Sequence, residues 1–413
     1  MRNRPATRRQ FLKRSTFAAG GLFLAAPVGA SRLAMAAETS RTAANVITGK
    51  DPRLIVHSAE PAELETPLAL LREHSITPDA LLFVRNNQSL SGAMNLLPLE
   101  AGGWPVEITG LVERPGSINV SQLSQMQQIE QELVLQCSGN GRAMFSAAAP
   151  AKGAQWQCGA MGNVRFGGVP LVKVLDRLGL KIDPRARFVT AEGRDAPAKA
   201  GDPDFEHSIP LEDALSRSFV ALTMNGAPIP AAHGGPVRLV TPGYYATMNV
   251  KWLGRLRFEE TETANYHQVR RYRTPREPIP VGSEFTYGLQ NSEPNWRMRT
   301  KSVIFAPLEG ERVAAGDVDI RGVAWNDGAT PIETVLVSTG NDMAWRPARI
   351  VTAGGPYAWQ HWSLSLDLQP GEYRLSARAV DALGRTQPLS PAAHWNPAGY
   401  AFNGVHSVKV IVR

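Results

Sequence analysis

The stretch "LQCSGNGR", Leu135–Arg142, follows the apolar run "ELVLQ", Glu132–Gln136, and reads as a strand breaking into a glycine-bearing turn. Functional side chains concentrate where a rigid element delivers the chain into a loop. Cys137 sits at that point, with Gly139 and Gly141 after it and Arg142 closing the turn. Two chemistries are open to it. A thiol delivered into such a turn is open to a chemical role. The second cysteine, Cys158, lies 21 residues downstream and offers a disulfide in an oxidising compartment.

The amino terminus bears on the compartment. "TRRQFLKRS", Thr7–Ser15, places Arg8 and Arg9 ahead of the short apolar run "TFAAGGLFLAA" and then the small residues "AMA", Ala34–Ala36. This reads as a twin-arginine signal over residues 1–37, cut after Ala36 or Ala37, and it predicts a periplasmic protein exported already folded. The apolar run is too short and glycine-rich to serve as a stable membrane anchor. Folded export suits a cofactor loaded before transport. Residues 1–37 also hold seven Lys and Arg and no acid, so of 44 basic residues 37 remain against 37 acidic ones. A balanced mature chain gives no electrostatic case for a nucleic-acid partner.

Residues 38–80 read as an extended lead-in with one short helix in "PLALLREHS". From "LLFVRNN" to about Phe258 strands and helices mix irregularly: "WPVEITGLV" alternates, "LVKVLDRLGL" has helical apolar spacing, and "PVRLVTP" is a short buried strand. The expected class is therefore α+β. Proline-rich "RTPREPIPVG" opens a linker over 273–299. Beyond it, "SVIFAPLEGERVAAGDVDIRGVAW", "ETVLVSTG", "WSLSLDL", "GEYRLSARAVD" and "SVKVIV" are short alternating runs parted by turn residues, the pattern of an immunoglobulin-like β-sandwich over 300–413. The domain expectation is 1–37 signal, 38–272 catalytic, 273–299 linker and 300–413 sandwich.

No phosphate loop, H-E-x-x-H, haem-attachment C-x-x-C-H or G-x-S-x-G elbow occurs. What recurs is anion-gripping chemistry at strand ends. "FVRNN" supplies Arg85, Asn86 and Asn87, and "PAKGAQW" supplies Lys152 and Trp156. Asp195 comes from "EGRD", His233 and Arg238 from "HGGPVR", Lys251 from "VKW" and Tyr272 from "VRRYR". Together they suggest one large anionic ligand and one small anionic substrate.

These motifs, with "GAMGNVRFGGVPL", "NVKWLGRLRF" and "HWNPAGY", closely resemble the sulfite oxidase family of molybdenum enzymes from about Leu81 to the end of the chain. The resemblance implies a mixed α/β molybdopterin-binding domain followed by a dimerisation sandwich, a molybdenum–pyranopterin dithiolene (molybdopterin) cofactor, and Cys137 as the metal's thiolate ligand, the glycines admitting the cofactor close to the chain. It implies that Phe83, Arg85, Asn86, Asn87, Asp195, His233, Arg238 and Lys251 hold the pterin and its phosphate. Arg85, Arg142, Lys152, Trp156 and Tyr272 would line the substrate pocket. Two departures stand out. Asn87 replaces a histidine common in the family's sulfite enzymes, and "GGPYAWQHW" lacks an arginine that animal members bring from the sandwich; Arg346 or Arg349 is the candidate replacement. The implied function is sulfite oxidation to sulfate by a homodimer, with electrons passed to a separate periplasmic c-type cytochrome. A sulfane dehydrogenase acting on protein-bound sulfur is the alternative enzyme. The non-enzymatic alternative is an exported binding protein with a Cys137–Cys158 disulfide.

Overall fold

The computed structural model describes residues 42–88, 101–197, 201–340, 344–352 and 354–413. The signal-like segment lies outside them. No described helix is long and apolar enough to cross a membrane.

The alternation in "WPVEITGLV" produces the strand Pro105–Gly110, which sends Val106 and Ile108 into the core between half-buried Glu107 and Thr109. It pairs in parallel with Leu253–Glu259. The five-stranded sheet around them runs Gly116–Asn119, Pro105–Gly110, Leu253–Glu259, Phe188–Gly193, Glu206–Pro210. The helix Leu171–Leu178 forms where the 3.6-residue spacing predicts, burying Leu171, Val174 and Leu175 in the core that this sheet covers.

A second five-stranded sheet carries the site. Its edge strand, Ile129–Gln136, pairs antiparallel with Met161–Pro170, which pairs with Phe219–Met224. The short strand Arg238–Val240 lies alongside Phe219–Met224 and places Arg238 opposite Ala221. A third, three-stranded sheet of Ile55–Ala59, Ala62–Glu65 and Val84–Arg85 sets Glu63 opposite Arg85. The "PLALLREHS" helix is short, Leu68–Leu71.

The carboxy-terminal part is the expected sandwich. Its eight strands run Lys301–Ala306, Gly316–Trp325, Gln360–Leu368, Arg346–Thr352, Ile332–Ser338, Gly371–Asp381, His406–Val412, Arg312–Val313. The strand Arg346–Thr352, with a proline and two arginines in seven residues, has no signal in the sequence; it pairs with both Gln360–Leu368 and Ile332–Ser338 and so joins the two faces. The 273–299 segment is more than a linker. Arg273–Pro275 pairs with Ser292–Pro294, and fully buried Arg273 reaches Glu262 at 3.1 Å and the Ser292 carbonyl at 2.7 Å.

Candidate active site

Cys137 follows the last residue of Ile129–Gln136 and is 5% exposed. Its loop is tied down from both halves of the molecule. The Cys137 amide donates to the Ala160 carbonyl at 2.9 Å, and the Ala401 amide, from the sandwich, donates to the Ser138 carbonyl at 2.7 Å. Sandwich Trp325 donates through Nε1 to Gln136 Oε1 at 2.7 Å. Burial pushes the Cys137 thiol up, while Arg85, the Gly139 amide and Arg142 act against that. Both cysteines are free and buried, so the disulfide reading does not hold. Cys158 packs in a different apolar cluster from Cys137, with Met161 and Trp359.

The glycines of the turn serve the protein itself. A Cβ at Gly139 would lie 2.7 Å from Arg142 Nη2, and one at Gly399, at φ +60°, would lie 2.4 Å from Arg142 Cγ. Between them Arg142 is held by its Nε to the Ala398 carbonyl and its Nη1 to the Ala154 carbonyl, each at 2.8 Å. Gly139 thus permits the close approach of an arginine, while a Cβ at Gly141, at φ +88°, would lie 2.6 Å from Phe402 Cδ1.

Two cavities meet at Arg85, Cys137 and Tyr272. The inner one is bordered by every residue assigned above to cofactor binding: Phe83, Arg85, Asn86, Asn87, Cys137, Asp195, His233, Arg238 and Lys251. Its floor is cationic. Lys251 donates to Asn86 Oδ1 at 2.6 Å and to the Ala232 carbonyl at 2.7 Å. Arg238 donates to the carbonyls of His233 and Asn249, both at 2.7 Å, and its buried Nε has no partner. Lys50, which the sequence did not single out, lies with its Nζ 2.7 Å from His233 Nε2. Burial drives the Lys50 ammonium down to about 7 and Arg238 to about 9, and holds Lys251 and His233 well below their usual ranges. Asp195, the acid bordering this cavity, is itself raised to about 7 by burial and by Asp204. Buried cations without counter-charge are costly by several kcal/mol each, so this cavity favours an anion.

The outer cavity, about 400 Å³, is bordered by all five residues assigned to the substrate pocket: Arg85, Arg142, Lys152, Trp156 and Tyr272. Arg85 pairs with Glu63 at 3.1 Å. Asn87 Oδ1 accepts both the Tyr272 hydroxyl, at 2.7 Å, and Arg85 Nη2, at 3.0 Å. Tyr272 adopts φ +52°, a left-handed backbone that costs a bulky residue about 1–2 kcal/mol. Trp156 is buried against His57, ring centres 4.7 Å apart. Lys152 stands at the mouth, 79% exposed, 3.4 Å from Glu284.

Residues missed in the sequence also border the outer cavity. Tyr400 stacks on Tyr272 at 5.2 Å, and Arg270 and Arg271 flank the same wall. In the sequence "HWNPAGY" gives no role to Tyr400, and "VRRYR" points to its tyrosine alone. The sandwich reaches the cavity through Pro397, Ala398 and Tyr400. "GGPYAWQHW" borders neither cavity: the Tyr357 carbonyl accepts the Val134 amide at 2.9 Å, and Trp359 Nε1 donates to the Ser75 carbonyl at 3.1 Å. The proposed replacement arginines are corrected with it. Arg349 lines a groove elsewhere on the sandwich, and neither Arg346 nor Arg349 borders the site.

Residues 94–267 match the oxidoreductase molybdopterin binding domain, and residues 292–413 match the Mo-co oxidoreductase dimerisation domain. Fold and site thus define a molybdopterin-dependent oxidoreductase. Mitochondrial sulfite oxidase of Homo sapiens is 30% identical over 379 residues, 88% of this chain and 66% of that protein, so the present chain spans just under two thirds of it. Sulfite oxidase of Gallus gallus is 30% identical over 367 residues, 86% of this chain and 78% of that one. The crystal structure of the sulfane dehydrogenase SoxCD from Paracoccus pantotrophus superposes with a TM-score of 0.69 at 28% identity, covering 84% of this chain and 83% of that one. The chain belongs to the sulfite oxidase family.

The residues present fit the family's cofactor. The inner cavity has the uncompensated cations and the orphaned Arg238 Nε that a phosphate would satisfy. Among the described residues no three His, Cys, Asp or Glu converge as a metal site. A single buried thiol, Cys137, is the donor set, which suits a metal whose other ligands come from an organic group.

Proposed function

We propose that the protein is a periplasmic sulfite dehydrogenase that oxidises sulfite to sulfate as a homodimer and delivers electrons to a separate c-type cytochrome. The observation that carries this reading is the outer cavity, where arginines converge on the one thiol suited to molybdenum. Sulfite and water become sulfate with release of two electrons and two protons. The molybdopterin group, when bound through Cys137 and the inner cavity, supplies the two-electron redox chemistry. The protein's own residues then grip and orient. Arg85 and Arg142, fixed by Glu63, Asn87 and the carbonyls of Ala154 and Ala398, hold the substrate oxygens by charge-assisted hydrogen bonds. The Tyr272 hydroxyl, held by Asn87, stands beside them as a further hydrogen-bond partner. The match of 292–413 to a dimerisation domain supports the homodimer. The Arg8–Arg9 pair supports export in the folded state.

A sulfane dehydrogenase is the second reading, favoured by one observation. The outer cavity is far roomier than a lone oxoanion needs, so a sulfur-bearing side chain of a partner protein would also enter. Sulfite-dependent reduction of oxidised cytochrome c by molybdenum-replete protein decides between them. Turnover is expected with sulfite; turnover only with a persulfidated carrier protein would establish the second reading, and protein purified without molybdenum would refute both.

A further inference from the structure

The outer cavity is bordered by five cationic side chains, Arg85, Arg142, Lys152, Arg270 and Arg271, against two carboxylates, Glu63 and Glu284. Four of the five are engaged by carboxylates or backbone carbonyls. Arg85 holds Glu63, and Lys152 reaches Glu284. Arg142 donates to the Ala398 and Ala154 carbonyls, and Arg270 Nη1 donates to the Tyr287 carbonyl. Arg271 differs. It is half-buried, and the cavity's two carboxylates pair with other residues. Its partners are phenols instead: Tyr400 hydrogen-bonds it, and Tyr272 and Tyr266 lie close by.

Its placement is fixed by aromatic contact. The Arg271 guanidinium carbon lies 5.8 Å from the Tyr272 ring centre, Tyr272 stacks on Tyr400, and the Arg142 guanidinium carbon lies 5.4 Å from the Tyr400 ring centre. Two arginines thus flank one tyrosine pair at the point where the cavities meet. A guanidinium has five N–H donors, so one that stacks on an aromatic face and bonds a single phenol still has in-plane donors for an oxoanion. The sandwich brings no arginine to this cavity, so the positive charge there must come from elsewhere.

We infer that Arg271 is a substrate-binding residue, the third guanidinium to contact the oxoanion beside Arg85 and Arg142. The inference takes its substrate class, a sulfur oxoanion, from the reading proposed above.

The test uses purified molybdenum-loaded protein in low-chloride buffer, with sulfate as the titrant in calorimetry and sulfite as the substrate in kinetics. Losing one charge-assisted contact weakens binding about tenfold to a hundredfold. Arg271→Gln should therefore raise the sulfate Kd and the sulfite KM by that factor, with kcat within about threefold of wild type, and Arg271→Lys should recover part of the loss. Arg271→Met keeps the stem against Tyr272 and should show the same weakening, which a purely structural role would not. Unchanged sulfate affinity in Arg271→Met, or wild-type protein that binds no sulfate, overturns the inference. Wild-type protein that binds sulfate through Arg271 yet leaves sulfite unoxidised refutes the functional reading and leaves this one standing.

Discussion

The Asn87 side-chain oxygen receives both the Tyr272 hydroxyl and Arg85 Nη2, so one amide sets the positions of two residues at the junction of the cavities. A residue that looks like a departure from the family pattern is thereby a positioning residue. Asn87→Ala should leave both partners less fixed and lower kcat/KM for sulfite by about tenfold to a hundredfold, on the order of one to three kcal/mol of lost orientation. Steady-state kinetics normalised to the molybdenum content found by elemental analysis checks this. The residues legible in the sequence were those whose chemistry is visible alone: a cysteine after a strand, arginines and lysines at strand ends. Lys50, Tyr400 and Arg271 were not, because their meaning lies in what they face. Lys50 comes from the lead-in and meets His233 across 183 positions of sequence. Tyr400 acquires its role by stacking on Tyr272, from the other half of the molecule.

At the scale of elements, the loop after Ile129–Gln136 and the loop carrying Gly399 form one clamp around Arg142. Gly399→Ala would put a methyl carbon 2.4 Å from Arg142 Cγ and ask alanine to hold φ +60°. The expected result is about 1–3 kcal/mol of destabilisation in urea unfolding, with a raised sulfite KM because Arg142 must move. Trp325→Phe tests the strand-to-sandwich tie. It leaves buried Gln136 Oε1 without its donor and should cost about 1–3 kcal/mol while sulfite KM stays near wild type. The strands and the helix that announced themselves by period, Pro105–Gly110 and Leu171–Leu178, formed as read because one face of each is buried. Arg346–Thr352 was illegible for the converse reason. Its proline and arginines carry no alternating pattern, and its place is set by the two strands it pairs with. The 273–299 segment reads as a linker by composition, yet Glu284, Phe285 and Tyr287 wall the outer cavity. Proline content reports chain stiffness, not what a stiff segment leans on.

Over the whole molecule, the two halves share one site, and the acid sensitivity of the fold follows from the histidines buried within it. Burial lowers His267 to about 4 and His207 to about 3, and half-buried His406 is lowered to about 4 by desolvation, with nearby Lys301 adding to the effect. In each case the unfolded chain binds more protons than the folded one between those values and the usual 6.5. Stability therefore rises with pH through that window and is lost as pH falls from about 6.5 towards 4. His406→Asn, which retains an acceptor for the Ile304 amide, should flatten part of that dependence in urea melts between pH 4 and 6.5. An unaltered slope would remove His406 from the explanation.

The central claim is that Cys137 is the protein's bond to molybdenum. X-ray absorption at the molybdenum edge, on wild-type protein and on Cys137→Ser from molybdate-fed cells, tests it most directly. The account predicts one fewer sulfur neighbour around molybdenum in the variant, together with loss of sulfite oxidation. Identical sulfur ligation in the two proteins, or no molybdenum in the wild type, would contradict it.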